Sequence, residues 1–134
     1  MTHILYVTLG FSDLARTARF YDAVLPPLGM ARNAVVDDGW LGYGPDYDDG
    51  VGLYLCPPFD GRRPTPGNGT MVAFRAPSAA HVRAFHAAAL AHGGSDEGPP
   101  IARPQYEAGF YAAYVRDPDG NKLACVWHKW NGKD

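Results

Sequence analysis

His3-Ile4-Leu5-Tyr6-Val7-Thr8-Leu9-Gly10-Phe11-Ser12 and Thr70-Met71-Val72-Ala73-Phe74-Arg75-Ala76-Pro77-Ser78 share one plan, an alternating run that ends on a serine. In the first, Ile4, Tyr6 and Thr8 share one face, and Leu5, Val7 and Leu9 form an apolar one, the period of two expected of a strand. In the second, Met71, Ala73 and Arg75 alternate with Val72, Phe74 and Ala76. Ser12 is the expected N-cap of a helix carrying Leu14, Ala18, Tyr21 and Leu25 at helical spacing. Ser78 caps a second helix, whose inner stripe is Val82, Phe85 and Ala89 with Leu90 beside it. Pro26-Pro27 and Gly29 end the first helix; Gly93-Gly94 close the second with a left-handed cap.

Working outward, the two runs recur at one interval. Ser12 and Ser78 stand 66 positions apart, and Gly29 and Gly93 stand 64 apart. After the first helix come short strand-like runs at Ala34–Val36, Trp40–Tyr43 and Val51–Leu55, separated by turns such as Pro45-Asp46-Tyr47-Asp48-Asp49-Gly50. After the second come a Pro-, Gly- and Arg-containing connection at Glu97–Gly109 and a strand at Phe110–Arg116. The turn Asp117-Pro118-Asp119-Gly120-Asn121 follows, then a strand at Lys122–His128. The segment Phe59–Gly69 reads as the linker. These patterns predict an α+β fold made of two βαβββ repeats, about 1–60 and about 68–128, within a single domain spanning 1–134.

Composition narrows the function classes. The formal net charge is −2, with 12 Lys and Arg against 14 Asp and Glu, and no basic stripe suited to nucleic acid. No run approaches the roughly 18 consecutive apolar residues of a membrane span, and the first residues lack the basic start of a signal peptide. A cytoplasmic location is expected, with Cys56 and Cys125 as free thiols. Asp46, Asp48 and Asp49, with Asp37 and Asp38, lack the spacing of a calcium loop and read as solvated turns.

Val7-Thr8-Leu9-Gly10-Phe11-Ser12-Asp13-Leu14-Ala15-Arg16 with Phe20-Tyr21, Thr70–Pro77 and Tyr111–Leu123 each carry local likeness to a known family. Together they resemble the vicinal-oxygen-chelate superfamily of glyoxalases, bleomycin-resistance proteins and extradiol dioxygenases. The resemblance implies curved mixed sheets around a cleft, with helices outside. It also implies a homodimer, and a small molecule in the cleft, which in the bleomycin-binding relatives is held at a dimer interface. In the enzymes of the family, a divalent metal held by His, Glu and sometimes Gln or Tyr chelates two neighbouring substrate oxygens.

The positions that would carry those ligands are Tyr6, Leu53, Met71 and Ala124. Leucine and alanine have no donor atom, and a thioether suits soft ions. The chain has only two glutamates, Glu97 and Glu107, both within the connection before the final hairpin. His3 has the opposite parity to Tyr6. His128 lies roughly 13 Å along the strand from Ala124, at ~3.3 Å per residue. His81, His86 and His92 fall on the second helix. No metal and no other cofactor is therefore expected.

Alternation instead puts Tyr6, Met71, Tyr114 and Ala124 inside the cleft, with Lys122, Arg75 and His128 towards strand ends. Tyr43, Tyr54, Arg103 and Tyr106 are further candidates from loops and adjacent strands. The expected ligand-binding set is Tyr6, Tyr43, Met71, Tyr114, Lys122, Ala124 and His128, and no catalytic residue is assigned. Such a pocket suits an aromatic or modestly apolar molecule bearing an oxygen anion or carbonyl. Two alternatives stand beside metal-independent binding. One is a lyase, isomerase or dioxygenase-type enzyme with an unrecognised mechanism or metal. The other is a non-catalytic scaffold whose cleft is closed by its own aromatics. Cys125 has the parity of a helix-facing residue, and Trp127 and Trp130 are placed to cover a dimer seam.

Overall fold

The computed structural model describes residues 2–35 and 39–134, so Val36, Asp37 and Asp38, named above, lie outside the described residues. The first repeat contains β1 (Tyr6–Gly10), α1 (Leu14–Val24), a short 3-10 turn (Pro26–Leu28), β2 (Arg32–Val35), β3 (Leu41–Tyr43) and β4 (Gly52–Cys56). The second contains β5 (Val72–Arg75), α2 (Ala79–Ala91), β6 (Ser95–Ala102), β7 (Tyr111–Arg116) and β8 (Lys122–Trp127). Each builds a four-stranded mixed sheet of the same topology, β1-β4-β3-β2 and β5-β8-β7-β6. In each, the first strand pairs in parallel with the last, and the remaining pairs are antiparallel. The α+β architecture of two βαβββ units expected from the repeat is thus present.

Two local expectations are corrected. Ser12 does not cap α1; Asp13 does, its carboxylate accepting from the Arg16 N–H at 2.9 Å. The Ser12 hydroxyl is drawn away by Asp119, to which it donates at 2.7 Å. The connection beginning at Glu97 is in large part strand, since β6 runs to Ala102 through Pro99 and Pro100. Proline is tolerated there because β6 is an edge strand, and its register with β7 shifts between Gly98 and Ile101.

The core forms between helices and sheets. Leu9, Leu53, Leu55, Leu41 and Tyr43 from the first sheet meet Phe20, Tyr21 and Val24 of α1. The same cluster continues into Phe74, Val115, Leu123 and Cys125 beneath Val82, Phe85 and Ala89 of α2. One strand face is thereby consumed in each sheet, which leaves the opposite face to the site.

The final turn locks the two repeats together. Tyr21 of α1 donates to Asp117 at 2.6 Å, Asn121 donates to the Gly10 carbonyl at 3.0 Å, and Arg16 pairs with Asp119 at 3.2 Å. Burial raises the Asp117 carboxyl above its ordinary range, although Tyr21, Asn121 and the Asp119 N–H all donate to it. Among the described residues no helix is long and apolar enough to cross a membrane.

Candidate functional site: the uncommitted sheet faces

Strand parity fixes what each uncommitted face offers. On β1, Leu9 enters the core, and Tyr6 and Thr8 stay exposed. On β4, Leu53 and Leu55 are fully buried, which turns Tyr54 to the face shared with Tyr6. The second sheet follows the same rule. Tyr111, Ala113 and Val115 of β7 and Leu123 and Cys125 of β8 join the core. Ala112, Tyr114 and Ala124 take the other side, with Tyr114 and Ala124 as register partners and Ala73 beside Ala124.

On the first sheet this face is aromatic. The Tyr6 and Tyr54 rings meet edge-on at 5.3 Å, Tyr47 stacks on Tyr6 at 6.2 Å, and Trp40 lies 6.2 Å from Tyr54. Tyr54 lies over glycine: a Cβ on Gly42 would come within 2.7 Å of its ring, and one on Gly52 within 3.2 Å. Its hydroxyl donates to that of Tyr47 at 3.4 Å, and that bond together with partial burial raises the Tyr54 phenol above its ordinary value. Beyond this cluster, Thr8, Gly10, Trp40 and Cys56 floor a hollow of about 720 Å³, walled by Phe59 and Pro64.

On the second sheet the face is aromatic and cationic. Met71, Tyr114, Lys122, Glu97, Arg103, Tyr106 and Phe110 line a hollow of about 450 Å³. The Arg103 guanidinium sits 4.9 Å and the Lys122 ammonium 5.6 Å from the Tyr114 ring centre. Desolvation and the Tyr106 phenol raise the Tyr114 pKa, and Arg103 opposes them. A smaller hollow of about 310 Å³ beside it is lined by Ala73, Arg75, Phe110, Val126 and His128.

Of the residues expected in the cleft, Met71, Tyr114 and Lys122 therefore come together, with Ala124 fully buried between Ala73 and Tyr114 on the same face. His128 lines the adjoining hollow, and Tyr6 belongs to the first sheet. Tyr43 is misplaced in the expected set. It pairs with Leu53 on the core side, is fully buried, and donates to Asp22 at 2.8 Å. Burial and the Asp22 carboxylate push its pKa well up, so Tyr43 is a packing residue. Leu53, expected at a ligand position, is likewise core, and Tyr54 holds the outward position next to it. Parity alone would have selected Tyr54, since Leu53 and Leu55 flank it. Tyr47 and Trp40 gave no such signal, because one lies in a turn and the other just before a three-residue strand.

On the uncommitted faces, Tyr6, Tyr54, Met71 and Ala124 stand at or beside the positions expected above to carry metal ligands. Two phenols, a thioether and a methyl do not form the donor set of a hard or borderline divalent ion. Among the described residues no three His, Cys, Asp or Glu side chains form a group that could hold a metal ion. Trp130, expected near a seam, packs on Tyr111 within the chain at 5.1 Å. Cys125 is a free thiol in the core, and burial pushes it up to about 12.

Comparison with known proteins agrees with this architecture. A glyoxalase/bleomycin resistance protein from Albidiferax ferrireducens is 35% identical, with a TM-score of 0.84 over 91% of this chain and 96% of that one. A glyoxalase-related enzyme from Fulvimarina pelagi is 23% identical, with a TM-score of 0.73 over 95% and 88% of the two chains. A glyoxalase I mutant from Zea mays is 25% identical, with a TM-score of 0.66, and this chain spans 46% of its length. No curated protein matches the chain. The profile of the Glyoxalase/Bleomycin resistance protein/Dioxygenase superfamily matches residues 3–125. The chain belongs to that superfamily.

Proposed function

We propose that this protein binds a small aromatic or modestly apolar molecule on its uncommitted sheet faces, without a metal ion. The observation that carries this reading is what the uncommitted faces present at Tyr6, Tyr54, Met71 and Ala124. They replace a metal-binding set with aromatic and apolar surface, the usual lining of a site for an organic ligand. Tyr54 and Tyr114 both hold their protons more tightly than a free phenol, so near neutral pH they donate hydrogen bonds and do not act as bases. That favours recognition of a carbonyl or oxyanion over proton abstraction.

The proposed working form is a cytoplasmic homodimer in which the first sheet of one copy and the second sheet of the other share a ligand. Two features support it. The apolar residues Ile4, Leu5 and Tyr6 are exposed at the β1 edge, and Met71 and Ile101 are exposed on the second unit. Strands β1 and β5 are both sheet edges, which favour pairing with further chain. The test is thermal melting against a panel of aromatic acids, amides and antibiotics, each with and without a chelator, alongside sedimentation analysis. A ligand should raise Tm equally in both conditions, and the protein should sediment as a dimer. A shift abolished by the chelator would contradict the reading.

A further inference from the structure

The reading above leaves the charge of the ligand open, and the hollow on the second sheet supplies it. Lys122 and Arg103 approach the Tyr114 ring at 5.6 Å and 4.9 Å, and among the described residues neither forms an ion pair. Arg103 is fixed by neutral acceptors only: its Nη2 donates to the Pro99 carbonyl at 2.8 Å and its Nε to the Ala112 carbonyl at 3.3 Å. Those bonds orient the guanidinium without an ion pair, and the carboxylate whose charge it feels, Asp96, is bonded to His86 and does not line the hollow. The one carboxylate lining the hollow, Glu97, is already taken by Arg116 at 2.7 Å. Two cations thus converge on one aromatic ring inside a hollow of about 450 Å³. An aromatic face attracts a cation but does not neutralise it.

We propose that Arg103 and Lys122, both beside the Tyr114 ring in one hollow, form a subsite for the carboxylate of a flat aromatic monoacid. It rests on the small-molecule reading above and adds the charge and class of the ligand. The acid's oxygens would take the free guanidinium N–H groups and the Lys122 ammonium. Its ring would lie against Met71 and Phe110, the latter held edge-on by Tyr106 at 5.5 Å. A carboxylate fits better than a phosphate. The hollow is lined by side chains from strands and a loop, with no helix N-terminus to supply the backbone N–H groups that a dianion favours.

Calorimetric titration of the intact protein with 2-naphthoate, 2-naphthamide and 2-naphthyl phosphate tests this, each with and without a chelator. The acid should bind at least about tenfold more tightly than the amide, the difference expected of a charge-assisted hydrogen bond. Lys122→Gln should remove about that tenfold for the acid and leave the amide unchanged, while Lys129→Gln on the exposed surface changes neither. Arg103→Gln should act as Lys122→Gln does, provided its melting curve shows it folded. Equal binding of acid and amide, or an unaltered Lys122→Gln variant, would overturn the subsite and leave the aromatic-ligand reading standing. Tighter binding of the phosphate would overturn the carboxylate assignment. Binding of all three probes only without the chelator would instead defeat the metal-independent reading.

Discussion

Gly42 and Gly52 show how a single residue shapes the first sheet's open face. A Cβ at Gly42 would strike the Tyr54 ring and the Asn33 side chain, so the aromatic cluster depends on that position being bare. Gly42→Ala should therefore destabilise the fold by about 1–3 kcal/mol, as overpacking does, and disturb the Tyr54 ring. Denaturant titration and tyrosine-resolved NMR would check both effects. Cys125 gives a second test at this scale. With its thiol pushed up to about 12 and its side chain fully buried, it should resist iodoacetamide at pH 8 in the native protein and react on unfolding. Peptide mapping reads the outcome. The thiol's core placement was legible from parity in the sequence. Tyr43 was not, because a three-residue strand carries too little alternation to show which face its tyrosine takes, and only the Asp22 partner reveals its packing role.

At the scale of elements, Asp22 on α1 ties that helix to two strands, pairing with Arg32 of β2 and accepting from Tyr43 of β3. Burial works against the charged form, yet these hydrogen bonds hold its carboxyl below the ordinary range. A depressed folded pKa means the contribution is complete above the unfolded value near 3.9 and disappears as pH falls through the folded one. Stability should drop as pH falls below about 4, and Asp22→Asn should be less stable near neutrality with a shallower acid limb. Thermal melts across pH would show this. Tyr21→Phe should cost about 1–3 kcal/mol, since it leaves the buried Asp117 carboxyl short of a donor where the two units meet. The helices and most strands were legible because their periods are long and their ends carry prolines and glycines. The reach of β6 was hidden, since Pro99 and Pro100 argue for a loop unless the strand is known to be an edge.

For the whole molecule, the repeat in sequence became a repeat in topology, and each sheet spends one face on the core and leaves the other uncommitted. What the sequence left unresolved was how the uncommitted faces are furnished. The ring cluster of Tyr6, Tyr47, Tyr54 and Trp40 joins a strand pair, a turn and a residue before β3, a convergence that no local pattern encodes. The approach of Arg103 and Lys122 to Tyr114 likewise joins residues from a loop and two strands. The proposed metal-independent binding rests on Tyr6, Tyr54, Met71 and Ala124. Elemental analysis of freshly purified, untagged protein tests it most directly. Nickel, zinc, iron and manganese should each fall far below one ion per chain. A stoichiometric metal that is lost on replacing Tyr6 or Tyr54 would contradict it.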